Sequence, residues 1–347
     1  MKEFFRKIVY GLKHYLFNVT LIWMAISFYK YNPYYKNFLL PLTQSTLFYL
    51  ALAYTVIGLF FYIILPIERI PRSKGLIIFN ALKRTLKDTG KYLKSFTQDM
   101  VHPAPRIERH EKVAILFILV KLYFLPIMLN FMFSNYTTVK NEISNLPLLN
   151  SLLTIDSFNG IIFPFIISIA FFIDTLIFTF GYTFEAGFLK NKVRSVEPTA
   201  LGWIVVLLCY PPFNGLFNNY SDWYANDNVF FYSSGLTFAI RIILVLLLFV
   251  YVGATLALGT KSSNLTNRGI VAYGPYKYIR HPAYISKNLF WWITIIPVMN
   301  IFAFLSMFSW SVVYFLRAIT EERHLIQDID YQTYCRKVKY RFIPGIW

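Results

Sequence analysis

Long apolar stretches separated by basic and polar connectors set the rhythm of this chain. Runs near the roughly 20 residues that an α-helix needs to cross a hydrocarbon core fall at 14–29, 38–65, 113–133, 160–180, 200–217 and 236–259. A further run at 285–316 is too long for one crossing, and Pro297-Val298-Met299-Asn300 interrupts it with a turn signal. It reads as two short antiparallel helices. The pattern predicts an all-α fold: a polytopic transmembrane helical bundle of about eight membrane helices, the last two forming a short C-terminal hairpin. Pro211-Pro212 must break or kink the 200–217 segment, because lipid cannot satisfy the backbone groups that proline frees. Residues 66–112 are the one long polar insertion, and within it Leu76, Ile77, Phe79, Leu82, Leu86, Leu93 and Phe96 alternate with lysines. That stretch, 76–98, is expected to lie amphipathically on a membrane surface.

Composition supports a membrane setting: 56% of the residues are hydrophobic, 20% aromatic and 15% charged, with a mean hydropathy of +0.48. A soluble domain carries about 25% charged residues. The net charge of +17 raises nucleic acid as a partner, but its distribution decides otherwise. Twenty-nine of the 34 Lys and Arg fall in 1–15, 66–112, 181–199, 260–288 and 317–347, and three fall in the alternate connectors 30–37, 134–159 and 218–235. Basic residues concentrate on the cytoplasmic side of membrane proteins, so both termini and the 260–288 loop are expected there. Anionic lipid headgroups then account for the remaining attraction, and no nucleic-acid partner is expected. Cys209 and Cys335 provide neither a disulfide framework nor metal-ligand spacing. His102 and His110 are lone histidines in a basic loop, and no metal site is expected.

Polar chemistry gathers at three places on one expected membrane face: the 260–288 loop, Glu321-Glu322, and the tail from Tyr334. No Gly-x-Gly-x-x-Gly pattern is present, so a nucleotide-like cofactor would be held without a Rossmann crossover. Arg280, Glu321 or Glu322, and Tyr276, Tyr278 or Tyr284 are the residue types that suit S-adenosylmethionine: a cation for its carboxylate, carboxylates for ribose and amino group, aromatic walls for adenine. The plainer alternative makes the cations and tyrosines interfacial anchors and leaves the glutamates as solvated charge at a helix end, or paired with Arg317 one turn earlier. A helix starting near Pro282 would place Arg280 and His281 at its positive end, open to an anionic ligand. Lys121 and Asp174 lie at membrane depth, where charge is costly and is paired or functional. A mutual ion pair or a polar substrate pocket would answer that. Arg241, near its helix end, is expected to snorkel.

Gly274-Pro275-Tyr276 leading into Arg280-His281-Pro282-Ala283-Tyr284, then a hairpin, then Glu321-Glu322, and a tail with Tyr331, Tyr334, Arg341 and Pro344-Gly345 resembles the isoprenylcysteine carboxyl methyltransferase and phospholipid methyltransferase family of integral membrane enzymes. The resemblance covers about the last 110 residues. It implies S-adenosylmethionine as cofactor, enclosed by Gly274, Pro275, Tyr276, Arg280, His281, Pro282, Tyr284, Glu321, Glu322 and Tyr334. It also implies a lipophilic small-molecule or lipidated acceptor entering laterally from membrane lipid, with Arg341 orienting substrate or cofactor and His281 or Glu322 as base where the acceptor needs one. On this reading 1–235 is an N-terminal membrane region carrying the 66–112 insertion, and 236–347 is the methyltransferase-like core. One departure is Ile285-Ser286-Lys287-Asn288, where many members place a glycine. The tail from Tyr334-Cys335 to Pro344 is also similar to sterol reductases, which makes a nicotinamide-dependent membrane reductase the first alternative. A non-enzymatic lipid-binding scaffold is the second.

Overall fold

The computed structural model describes residues 2–64, 73–96, 102–146, 154–218 and 222–346. Parts of the 66–112 insertion, residues 66–72 and 97–101, lie outside them. The chain forms two compact units, Met1–Pro126 and Ile127–Trp347. The functional boundary expected near residue 235 falls inside the second.

In the first unit α1 (Lys2–Tyr31), the short α2 (Pro33–Phe38), α3 (Pro41–Ile64) and α4 (Lys74–Ser95) precede α5 (Arg109–Ser144), which runs through the unit boundary at Pro126. α1 and α3 pack through Tyr15 and Tyr62, and the Asn18 amide donates to the Tyr62 hydroxyl at 2.8 Å. Ser73 caps α4 by accepting from the Leu76 N–H, the type of side chain that satisfies an orphan donor at a helix start. α4 leaves Phe79, Leu82, Leu86 and Leu93 exposed, in line with the amphipathic stretch expected at 76–98. Lys121, on α5, sits over the Phe117 ring.

The second unit holds the rest of α5, a one-turn α6 (Ile155–Ser157) that passes through a π turn into α7 (Phe163–Thr183), α8 (Ala200–Leu207), α9 (Phe213–Asn218), α10 (Ser234–Leu258), α11 (Pro282–Thr294), α12 (Ile301–Leu325) and α13 (Ile329–Lys337). Apolar side chains at helical spacing weld them together: Phe163, Ile167 and Ala170 of α7 meet Leu244 and Leu248 of α10 and Phe290 of α11. The two-residue strands β1 (Ser195–Val196) and β2 (Thr266–Asn267) pair antiparallel and stitch the loop before α8 to the loop after α10.

The all-α reading holds, and five helices are long and apolar enough to cross a membrane: α3, α5, α6–α7, α10 with its 3₁₀ extension, and α12. The other three of the expected eight differ. α8 is 8 residues long and ends before Pro211-Pro212, so at 1.5 Å per residue it spans about 12 Å. α11 is 13 residues long, about 20 Å, against 25 residues for α12. The hairpin therefore has unequal arms. α1 carries Lys and Arg through its first turns. The turn itself stands where the sequence places it, with the Asn300 side chain capping α12 by accepting from the Phe302 and Ala303 N–H groups at 2.9 Å. Arg241 does not snorkel: it is buried, and its guanidinium donates to the carbonyls of Asn159, Asn228 and Val229. Asp174, expected to meet Lys121, accepts from the Thr255 hydroxyl of α10 at 2.6 Å.

Candidate functional site at the ends of α10, α11 and α12

Three chain segments converge on a cleft within the second unit. After α10 the backbone turns sharply: Gly274 adopts φ +60°, a left-handed conformation that glycine takes at little cost, and a Cβ there would stand 3.2 Å from the Ala257 Cβ. A 3₁₀ turn, Gly274–Lys277, follows. Gly181, at the end of α7, lets the Ser262 carbonyl approach where a Cβ would collide with it. α11 begins at Pro282, as the sequence predicts, with His281 at the N-cap position.

The tail from 338 to 341 lies along this corner. The Arg280 and His281 N–H groups donate to the Tyr340 and Arg341 carbonyls at 3.0 and 2.9 Å. The Arg280 side chain continues the clasp, with Nε on the Val338 carbonyl at 2.9 Å and Nη2 on the Lys339 carbonyl at 2.8 Å. Its Nη1 reaches both oxygens of Glu322, at 3.2 and 3.1 Å. Glu322, on the last turn of α12, also meets His281 Nε2 at 3.1 Å and Arg341 Nε at 2.9 Å. The anion at the start of α11 is thus the protein's own carboxylate. Beneath it, Tyr334 of α13 donates to the Tyr276 carbonyl at 2.8 Å. Burial pushes the Tyr334 hydroxyl above the usual phenol range, with Arg280 opposing, so it remains a neutral donor.

A cleft with about 940 Å³ of free space, its open mouth included, is lined by Tyr276, Arg280, His281, Tyr284, Glu321 and Tyr334. Six of the expected site residues therefore line one cleft. Gly274, Pro275, Pro282, Glu322 and Arg341 are not among the lining residues; they shape the turn, start the helix and hold the clasp behind it. Tyr284 stacks on the His281 ring at 5.3 Å and donates to Glu321 Oε2 at 2.7 Å.

Ser263 to Val271, Glu197, Arg317 and His324 also line the cleft. Sequence reasoning placed the 260–288 loop at the site but missed Glu197 and His324, which lie far apart in the chain. The available signal was Arg317: a cation inside an apolar run. Its partner is not the glutamate pair. Its Nη2 donates to Asn264 Oδ1 at 2.5 Å, away from Glu321 and Glu322.

Residues 229–329 match the phospholipid methyltransferase family model. No curated protein and no solved structure matches the chain. The matched segment spans α10, α11 and α12 and contains Gly274 to Tyr284 and Glu321-Glu322, while Tyr334 and Arg341 lie beyond its end. The family resemblance read from the motifs and the cleft thus coincide on the same helices, and five apolar helices make this a multi-pass membrane protein.

Proposed function

We propose that this protein is an integral membrane methyltransferase that uses S-adenosylmethionine and acts on a lipophilic acceptor, with the site on the cytoplasmic face. The observation that carries the reading is the coincidence of the phospholipid methyltransferase match at 229–329 with a cleft lined by Tyr276, Arg280, His281, Tyr284 and Glu321. The donor set fits the cofactor: Tyr276 and Tyr284 offer aromatic walls, and Glu321, held by the Tyr284 hydroxyl, offers a carboxylate. Bound there, S-adenosylmethionine would supply an activated methyl group, which the acceptor's carboxylate, amine or thiol takes by in-line displacement as the sulfonium leaves as a thioether.

The protein's part is proximity, orientation and exclusion of water. Arg280, His281 and Arg341 converge on Glu322 and fasten the tail over the start of α11, so these four residues set the shape of the cleft wall. Gly274, Pro275, Pro282 and Tyr334 fix the turn, the helix start and the floor. A carboxylate acceptor needs no base. For an amine or thiol acceptor His281 takes the proton, since it lines the cleft and its Nε2 is held 3.1 Å from Glu322.

Direct binding tests the reading. Detergent-solubilised protein should bind S-adenosylmethionine and its demethylated product, and Tyr284→Ala, which also removes packing on His281 and Tyr314, should weaken both about ten-fold at temperatures where the variant is still folded. Binding of reduced nicotinamide in place of both would replace the methyltransferase with a reductase. Binding of lipid alone would leave a scaffold.

A further inference from the structure

Two opposite charges sit close together at membrane depth without pairing. Asp174 of α7 accepts from the Thr255 hydroxyl at 2.6 Å and from the Tyr251 hydroxyl, both on α10. Lys287 stands five residues past the start of α11, about 8 Å into the helix, and is half-buried. Its Nζ lies 5.4 Å from the Tyr251 ring centre and 5.1 Å from that of Trp291. Trp291 is one turn farther along α11, so the lysine points inward instead of snorkelling back to the interface. The charged groups whose fields reach it are Asp174, Asp227 of the segment before α10, and Arg317 of α12. Among the described residues no carboxylate oxygen comes within 4 Å of its ammonium, and no hydrogen bond to it is formed.

Charge at this depth is costly and is paired or functional. Asp174 is met by two hydroxyls. Lys287 offers three N–H donors to aromatic faces, which attract a cation without cancelling its charge. The unmet capacity is therefore on the lysine, and what it lacks is an acceptor oxygen. Tyr284, Lys287 and Trp291 follow one another at helical spacing on one face of α11, and Tyr314 of α12 packs on both Tyr284 and Trp291, with ring centres 5.8 and 5.3 Å away. Tyr284 lines the cleft, which makes Lys287 the next polar group inward from it along that face. Asp174 lies outside the matched segment 229–329, and Lys287 falls in the 285–288 stretch that departs from the family resemblance, so the pair belongs to this chain in particular.

We propose that Lys287 is a specificity-determining residue whose ammonium receives the carboxylate of a lipophilic acid, with the acid's chain running into the bilayer. Asp174, held by Thr255 and Tyr251, balances the lysine's charge from a distance and leaves its donors free, while Tyr251 and Trp291 aim them. A ligand arriving as an ammonium meets a like charge at the same place. That the acid is the methyl acceptor rests on the methyltransferase reading; its recognition by Lys287 does not.

The test uses full-length protein in phosphatidylcholine nanodiscs, photolabelled with a diazirine-bearing palmitate and competed with palmitate, methyl palmitate or hexadecylamine. Palmitate should protect the wild type at about ten-fold lower concentration than methyl palmitate, the scale of a charged hydrogen bond, and hexadecylamine should protect least. Lys287→Met should erase the difference between acid and ester, and Lys287→Arg, which keeps the charge, should retain it. Lys287→Gln carries the same comparison should the methionine variant not fold. The ratio between competitors reads the polar end apart from the fold, because a variant that merely loosens the bundle shifts all three together. S-adenosylmethionine binding is measured on the same samples: a Lys287-dependent acid preference without it would keep the lysine site and remove the methyltransferase. No saturable labelling, a wild type that prefers the ester or the amine, or an acid preference that survives in Lys287→Met would overturn the lysine site, whether or not the cofactor binds.

Discussion

Glu322 holds one negative charge against Arg280, His281 and Arg341, each within 3.1 Å of a carboxylate oxygen, and its side chain is 10% exposed. Removing the shared anion leaves buried positive charge uncompensated, which costs about 3–5 kcal/mol where one partner of a buried pair is lost. Glu322→Gln should therefore lower thermal stability and free the tail, whereas Glu321→Gln, at an exposed position bonded only to Tyr284 among its described side-chain partners, should leave stability within about 0.5 kcal/mol. Melting temperatures of the solubilised variants, with limited proteolysis of the tail, separate the two. Equal effects from both substitutions would mean that the clasp does not hold the tail. The adjacent glutamates are indistinguishable by type; only their facing along α12 assigns one to the clasp and the other to the cleft.

At the scale of elements, the junction between α13 and the β1–β2 ribbon is an electrostatic latch. Asp328 caps α13 and accepts from Arg194 Nη1 at 2.9 Å and from the Asn267 amide at 2.7 Å. Burial alone would raise its carboxyl, but the Asn267 and Arg194 hydrogen bonds win and hold it below the usual carboxylate range. A depressed folded-state value means the latch is fully present above the ordinary carboxylate pKa of about 3.9 and is lost as the pH falls through the lower folded value. Asparagine is as good a cap as aspartate, so Asp328→Asn removes mainly the charge. Its melting temperature should fall below wild type at pH 7 and converge with it progressively as the pH falls below the ordinary carboxylate range; a gap that stays constant with pH would rule the latch out. None of this junction was legible in the sequence, because two-residue strands carry no periodicity and Arg194 and Asp328 lie 134 positions apart. The turn at Pro297–Asn300, the helix start at Pro282 and the clustering of Tyr276, Arg280, His281, Tyr284, Glu321 and Tyr334 were legible, since proline and asparagine act locally and the motif spacing brings its own partners. The break at Pro211-Pro212 was legible too, but not that α8 stops at Leu207, because hydropathy registers apolar side chains and not where a helix ends.

For the whole molecule, orientation in the bilayer follows from helix length combined with charge. α10 has 25 residues, about 37 Å of helix, more than the roughly 30 Å of hydrocarbon it has to cross. Positions 225 and 265, on either side of it, must then face opposite compartments. Basic residues predict which is which: 260–288 carries five Lys and Arg and 218–235 carries none, so 265 is expected on the cytoplasmic side. By the same charge rule 90, 190 and 340 are expected on its side, and 140 on the side of 225. Single cysteines at these positions, in a background lacking Cys209 and Cys335, can be probed with an impermeant thiol reagent in intact cells. Labelling is expected at 140 and 225 alone before the membrane is broken, and at all six afterwards. Labelling of 265 together with 225 in intact cells would mean that α10 does not cross, and the cleft would then lie on a different face from the one its cations select. Labelling of 190 from outside, with 265 protected, would contradict the β1–β2 pairing of Ser195 with Asn267, because paired strands cannot lie on opposite sides of a bilayer.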